Sequence, residues 1–457
     1  MPAPIFSSPD LDFVAKEVYP AGSPYWDWIA RGTPAKDLIE SSGKVPFGGE
    51  PQGKYHKFPI VLTGNANPAV PYTTGQKATG LASPGKVGGD ELYFGVATLN
   101  QALEIEGDVF NNIVGGASSA ADGFTLNMDT QGKDASSEFN WKLHQDGSGR
   151  LAVPSAWAGG TFTVPDNARM WPNREFVIRA NAGGAYWNPS GGGYPMGFSP
   201  GHAAQVLTQA PAGTTFTANF ASGLAIGEAP IAIVNHSCFP YDAVGNDIWG
   251  LGIICSDQDP ACWAGPGPVF FGGMSRATQP LWQGYVHNAG GDMLSMQNDV
   301  QVVLDHLRKR SRGQLNADAR NVLWYAFCGA QNFHVLENAL TVGDRTPGGR
   351  KTLVKEDRMG DGSTYRAEYS GIEYEGAVFV LDFDSPPSRV RFVHPAHLRR
   401  WVVMPWGWDD RSGTIWTRSM ADDGRDAWIY KARMMTQQQL ICVCCLGMGE
   451  IWNTSAT

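Results

Sequence analysis

The chain has 457 residues, enough for about two or three packed modules, with 42% hydrophobic residues, only 17% charged ones and a formal charge of −9. An acidic balance excludes a protein whose main work is gripping nucleic acid through its phosphates. A charged share below the roughly one quarter usual for soluble domains suits a subunit that covers much of its surface with neighbours. Seven Cys, an odd count in a long chain, exclude a secreted disulfide scaffold.

Residues 1–10 offer no basic start and no apolar run, so no signal peptide is expected. No run of about 18 apolar residues exists that could span a membrane. The 56 Gly and 30 Pro, together with 16 Trp, predict many strands, turns and irregular arms, with helices in the minority.

In chain order, residues 1–50 read as an extended arm with one or two short helices. Phe6, Phe13, Tyr19, Tyr25, Trp26 and Trp28 are scattered there without a period, and apolar side chains without a local core need a partner surface. Pro2, Pro4, Pro9, Pro20 and Pro24 interrupt any long helix. Residues 54–62 read as a strand; Leu92, Phe94 and Val96 alternate, and Leu103 and Ile105 do so again. Between them, 76–89 is rich in Gly, Ala, Ser and Lys. Two strands joined by so long a tip predict a protruding hairpin, whose glycine-rich tip orders against a neighbouring subunit.

Residues 118–144 carry Ala121, Phe124, Met128, Ala135, Phe139 and Leu143 at three-or-four spacing, which predicts a long helix spanning roughly 40 Å. From 162 to about 233 the pattern is short strands and Gly-rich turns, clearest at 176–178, 214–220 and 229–234. The strongest helical pattern is 293–313, with Met293, Met296, Val300, Val303, Leu304 and Leu307 in one stripe. Arg308, Lys309, Arg310 and Arg312 sit at its negative end, and Gly313 follows as a cap. A buried strand at 322–327 comes next. A helix at 330–340 then puts Phe333, Leu336 and Leu340 on one face, and strands are predicted at 377–383, 389–393, 413–418 and 440–446.

Groups with chemical potential resolve into bland readings. There is no phosphate loop ending in Lys-Ser or Lys-Thr and no dinucleotide fingerprint. On a strand, Cys442 and Cys444 share one face and Cys445 takes the other, and no second Cys or His pair completes a four-ligand metal site. His236 and Cys238 lie near one another in sequence only. Asp382 and Asp384 read as solvated carboxylates at a strand exit, because Pro386 and Pro387 follow. Asp409 and Asp410 beside Trp406 and Trp408 could suit a sugar cleft, but a loop with Trp packed at an interface suits them better. His394 and His397 are separated by Pro395. No catalytic, cofactor-binding or metal-binding residue is assigned.

The order of these elements resembles the tailed-bacteriophage major capsid protein family, which has the Hong Kong ninety-seven type fold. The hairpin, then the helix closing on His144-Gln145-Asp146-Gly147-Ser148-Gly149-Arg150-Leu151, resembles the family's extended loop and spine helix. Trp249-Gly250-Leu251, Met274-Ser275-Arg276 and Gln279-Pro280-Leu281-Trp282 resemble the start of its axial domain, which the 293–313 helix, strand and second helix continue. Tyr374-Glu375-Gly376 with 378–384 resembles the strand region that ends it, and 426–451 the returning strands of the peripheral domain. The resemblance covers residues 50–457; the stretches 186–201 and 257–273 are longer than a minimal member needs.

The resemblance implies an α+β fold divided as follows: 1–50 the N-terminal arm, 51–105 the extended hairpin loop, 106–234 spine helix and peripheral domain, 235–400 axial domain, 401–457 return strands. It implies a non-enzymatic shell subunit without cofactors, forming pentamers and hexamers in an icosahedral head. Scaffolding, portal and cement or decoration proteins would be partners, and packaged double-stranded DNA would be contacted weakly, with no membrane involved. Localisation would be the virion, after synthesis in the bacterial cytoplasm. Some relatives crosslink through a Lys–Asn isopeptide bond; Lys77 and Lys86 lie in the hairpin tip but match no crosslinking motif. The arm lacks the long charged helix of a fused scaffold, so the mature shell is expected to keep it, with scaffolding supplied by a separate protein. Alternatives are an encapsulin-like nanocompartment shell and a carbohydrate-active β-rich enzyme.

The cysteine pattern carries a prediction. A chelator should change neither the melting temperature nor the assembly of the purified protein, and stoichiometric zinc by elemental analysis would contradict it.

Overall fold

The computed structural model describes residues 33–41, 55–63, 88–106, 132–147, 150–152, 156–158, 161–164, 175–179, 204–209, 215–218, 232–235, 247–258, 271–311, 324–342, 350–358, 364–409, 417–420 and 426–455. Over these residues the chain is a mixed α+β protein. The hairpin tip, Lys77 and Lys86 with it, lies outside them, as do residues 1–32, the first half of the helix expected at 118–144, and Gly313.

A short helix, α1 (Pro34–Ser41), precedes β1 (Tyr55–Thr63) and β2 (Gly88–Gly95), which pair antiparallel as the alternating pattern requires. Leu92 and Phe94 turn inward at 0% and 1% exposure while Tyr93 between them is exposed. After Val96 the chain continues as β3 (Ala97–Glu106) and changes partner. Residues 132–143 form α2. Seven short strands follow: β4 (Arg150–Ala152), β5 (Ala156–Ala158), β6 (Thr161–Thr163), β7 (Glu175–Arg179), β8 (Ala204–Gln209), β9 (Thr215–Ala218) and β10 (Ala232–Asn235). They make one sheet in the order β4-β10-β7-β8-β9-β6-β5.

The next module begins with a single helical turn, α3 (Leu251–Ile254), then β11 (Tyr285–Asn288). A π-turn at Met296–Val300, with Ser295 Oγ accepting from Asn298 N, leads into α4 (Gln301–Arg310). Val300, Val303, Leu304 and Leu307 are fully buried. Met293, expected in the same stripe, lies ahead of the cap and is 54% exposed. β12 (Trp324–Cys328), α5 (Ala330–Val342), β13 (Arg350–Arg358), β14 (Thr364–Tyr374), β15 (Ala377–Leu381) and β16 (Arg389–Val393) complete the run. Glu375 and Gly376 both have positive φ, the requirement of a tight two-residue hairpin between β14 and β15. The strand expected to reach residue 383 stops at Leu381, and Phe383 is 77% exposed in the turn beyond it.

The C-terminal strands are β17 (Leu398–Trp408), β18 (Thr417–Met420), β19 (Asp426–Cys442) and β20 (Gly449–Trp452). β19 is far longer than the strand expected at 440–446. Its 17 residues span about 55 Å. One edge pairs with β3 from Ile429↔Glu106 to Gln438↔Ala97, and the other pairs with β17 and β18 in succession.

β20 enters the central sheet, whose order is β11-β20-β16-β12-β15-β14-β13. β12 is buried along its whole length, and its alternation divides two cores. Trp324, Ala326 and Cys328 join the core under α4 and α5. Tyr325 and Phe327 join the core made by α1, α2, α3, Phe271, Trp282 and the ends of β17 and β19. The helix–sheet–helix layering follows from these two faces.

Gly250 marks a tight backbone approach in the second core. A Cβ there would lie 2.6 Å from the carbonyl oxygens of Leu143 and Lys142, and nearer still to that of Gln145. Gly250→Ala should therefore destabilise the chain by about 1–3 kcal/mol through overpacking against backbone. Gly132→Ala, where a Cβ meets nothing within 4 Å, should be neutral or mildly stabilising. Denaturant midpoints of the two variants test this.

Candidate functional site

The polar groups that the fold gathers are concentrated at the C-terminal end of α2. Phe139, Trp141 and Leu143 are buried there, and so are Asn140, Lys142 and His144 between them. A helix end buried all round must find partners for the polar side chains it carries; Asn140 and His144 find theirs at Asp382, and Lys142 at Asp247.

Asp382 is the centre of the first set. Its Oδ2 accepts from Ala35 N at 3.1 Å and Asn140 Nδ2 at 3.2 Å, and lies 3.0 Å from His144 Nε2. Its Oδ1 takes Asn140 Nδ2 at 3.1 Å and Asp384 N at 3.0 Å. Asn140 also donates to Asp384 Oδ2 at 2.7 Å, and its Oδ1 accepts from Lys36 N at 2.9 Å. Ala35 and Lys36 lie in the first turn of α1, where backbone N–H groups have no partner within the helix. The carboxylate and the amide oxygen supply that partner and complement the positive end of α1. Burial pushes the Asp382 carboxyl up, but the charge and hydrogen bond of His144, the Asp384 N–H and the Asn140 amide together hold it below the usual carboxylate range.

Two further links leave the same helix end. Lys142 pairs with Asp247, whose Oδ1 also accepts from Ile248 N at 2.8 Å. Arg391 Nη1 donates to the carbonyl of His144, while its Nε faces Glu450 Oε1 at 3.5 Å. Arg389 Nη1 reaches the same Glu450 oxygen at 2.7 Å. Gln439 Oε1 accepts from Trp249 N at 2.8 Å and from Leu440 N, tying the α3 segment to β19. The arrangement is a joint between α1, α2, the turn after β15, β16 and β20. With His144 at 0% and Asp382 at 1% side-chain exposure, the pair is closed to a dissolved substrate.

This corrects one expectation directly: Asp382 is a buried acceptor and not a solvated strand-exit carboxylate. Asp384 lies in the same turn beyond Leu381, where its N–H closes on Asp382 Oδ1. A second correction concerns the cysteines. β19 ends at Cys442, so the strand alternation breaks, and Cys442 Sγ and Cys445 Sγ meet at 3.6 Å. His394 and His397 are brought together, ring centroids 4.9 Å apart. Burial lowers both, His394 to about 4 with help from the His397 charge. Among the described residues, no group of three or more His, Cys, Asp or Glu side chains is placed to hold a metal ion. Asp409 N donates to Arg433 O at 2.8 Å, while Asp410, His236 and Cys238 lie outside the described residues.

No family model matches the sequence, and no curated protein matches it. The structure is similar to the capsid asymmetric unit of cyanophage A-1(L), at 13% identity over 97% of this chain and 99% of that one, with a TM-score of 0.49. It is similar to the capsid of the Myoviridae phage XM1, at 8% identity over 96% and 97% of the two chains, with a TM-score of 0.41. It is also similar to a holo encapsulin complex from Synechococcus elongatus, at 6% identity over 96% and 94%, with a TM-score of 0.42.

The joint has a pH signature. A carboxyl held below its ordinary value stabilises the fold fully above that value, near 3.8, and loses its contribution as pH falls through the lowered one. Asp382→Asn should cost about 3–5 kcal/mol at pH 7, since it leaves His144 and the α1 N-terminus without their charged partner. The gap to wild type should narrow steadily as pH drops below 4. Melting curves of both proteins from pH 7 to pH 2.5 measure it, and a constant gap would contradict the role given to the carboxylate.

Proposed function

We propose that this chain is the major capsid protein of a tailed bacteriophage, assembling through pentamers and hexamers into the icosahedral shell around the genome, and that it is not an enzyme. The observation that carries the reading is the order of the elements. A hairpin with a long connection, a helix that closes near residue 144, a run of short strands, a helix–strand–helix unit and a long returning strand succeed one another as they do in the family that the sequence resembles.

The shape of the sheets supports the same reading. Thr364–Ser370 of β14 pairs only with β13 among the described residues. Two-stranded ribbons are marginal in water and need further strands or a packed surface. Neighbouring copies would supply both. The net charge of −9 fits an inner surface that holds packaged DNA weakly. In this reading residues 1–50 stay on the mature subunit and α1 is their anchor, with scaffolding, portal and cement proteins as separate partners.

Light scattering and negative-stain micrographs of the purified chain, with and without a scaffolding protein, test the proposal. Pentamers, hexamers or closed shells are expected. A strictly monomeric species at micromolar concentration under both conditions would overturn it, and small empty particles carrying a co-purified enzyme would select the nanocompartment instead.

A further inference from the structure

A second cluster of reactive groups lies outside the joint. Cys442 ends β19, the chain bends through Val443 and Cys444, and Cys445 opens the short turn Cys445–Gly447 that leads into β20. The bend sets the Cys442 and Cys445 sulfurs 3.6 Å apart, with both residues at 0% exposure. A disulfide needs about 2.05 Å between sulfurs and side-chain vectors that converge. The two thiols already converge, in van der Waals contact. Arg276 adds an independent feature: its Nη2 stands 4.0 Å from Cys445 Sγ. The same guanidinium is held in place from the other side by the carbonyls of Ser256 and Gln258.

We propose that Cys442 and Cys445 are a dithiol modification site that hydrogen peroxide closes to an intrachain disulfide, locking the turn between the long β19 sheet and the central sheet. Burial disfavours a thiolate on either sulfur. On Cys445 the Cys442 thiol and the Arg276 guanidinium outweigh it and hold the pKa below the usual thiol value, whereas Cys442 is pushed up. Cys445 is therefore the attacking sulfur.

Its thiolate attacks one peroxide oxygen and the O–O bond breaks. Cys445 becomes a sulfenic acid, and the leaving hydroxide takes up the thiol proton as water. Cys442 then attacks the sulfenic sulfur, the S–S bond forms, and the expelled hydroxide leaves with the Cys442 proton as a second water. Two thiols are oxidised and one hydrogen peroxide is reduced. A small oxidant reaches the pair by local opening of the three-residue turn, which adjoins the partly exposed Cys444. Cys255 and Cys328 serve as internal controls. Each is buried with its thiol directed at a backbone carbonyl, Phe392 O and Val380 O, at 3.6 Å, and burial pushes both well above the usual thiol range.

The test treats the full folded chain with hydrogen peroxide, alkylates the remaining thiols after denaturation and maps disulfides by peptide mass spectrometry. The expected product is a Cys442–Cys445 crosslink with Cys255 and Cys328 still alkylated. It should form equally in Cys444→Ser, whereas Cys442→Ser should instead leave Cys445 as a sulfenic acid that a dimedone probe captures. A crosslink involving Cys444 would overturn the assignment. So would Cys445 passing to sulfinic acid beside a free Cys442, or a pair that stays alkylatable under a dose that oxidises it in the unfolded chain. The wild-type map decides the matter even where a variant fails to fold.

Discussion

Asp382 offers two oxygens to four groups that come from three places in the sequence: the N–H of Ala35, the side chains of Asn140 and His144, and the N–H of Asp384. Removing any of these from water is costly unless it is paired. Once α2 is buried at its C-terminal end, the turn after β15 must lie where it does and α1 must approach with its N-terminus first. The placement of α1, of α2 over the central sheet and of the exit of β15 is thus one constraint. Close approach is its companion. Gly250 lets the α3 segment sit directly on the carbonyls that end α2, and Gly252 N donates to Gln145 O at 3.1 Å.

Charge in this joint is matched locally. Lys142 has Asp247, and Arg391 shares Glu450 with Arg389. A buried pair of this kind gains little net stability over a well-packed apolar substitute, but its loss on one side is expensive. The chain has few charges to place, 17% of its residues, and buries Lys142, Asp247, Arg391 and Glu450. The result favours one packing of helix on sheet over others that would leave a charge alone.

Periodicity made much of the fold legible. Leu92 and Phe94 face inward as alternation requires, and the stripe from Val300 to Leu307 lies on the sheet. Where local pattern ran out, tertiary contacts had decided. Asp382 looked like a solvated strand exit because Pro386 and Pro387 follow it, yet its partner Asn140 is 242 residues away. No local spacing encodes a contact that distant. The one available signal was three polar side chains, Asn140, Lys142 and His144, alternating with the large apolar Phe139, Trp141 and Leu143 at the end of one helix. β19 was underestimated for a related reason: Lys431, Arg433 and the run Thr436–Gln439 lack the apolar alternation of a half-buried strand. Its regularity comes from having a strand on both edges, β3 on one and β17 with β18 on the other. The cysteines followed the strand rule only as far as the strand went, and the turn after Cys442 reversed which sulfur met which.

For a subunit of the proposed shell, this division between a specified interior and thin extended sheets has a mechanical sense. Copies of one chain that occupy slightly different surroundings must share a rigid body while their extensions adapt. The central sheet, with β12 buried on both faces and both edges, can supply the rigid body. β19 leaves that body as a long arm of about 55 Å, held on one edge by β3 and on the other by β17 and β18. The turn from Cys442 to Gly449 is where the two parts meet. Trp324 Nε1 donates there to Gly447 O at 3.0 Å, and Val443 N to His397 O at 2.9 Å. Motion of the arm relative to the sheet must be absorbed at or beyond these few bonds. A covalent link between Cys442 and Cys445 would therefore act at the position where a small local restraint has the largest effect on the long strand.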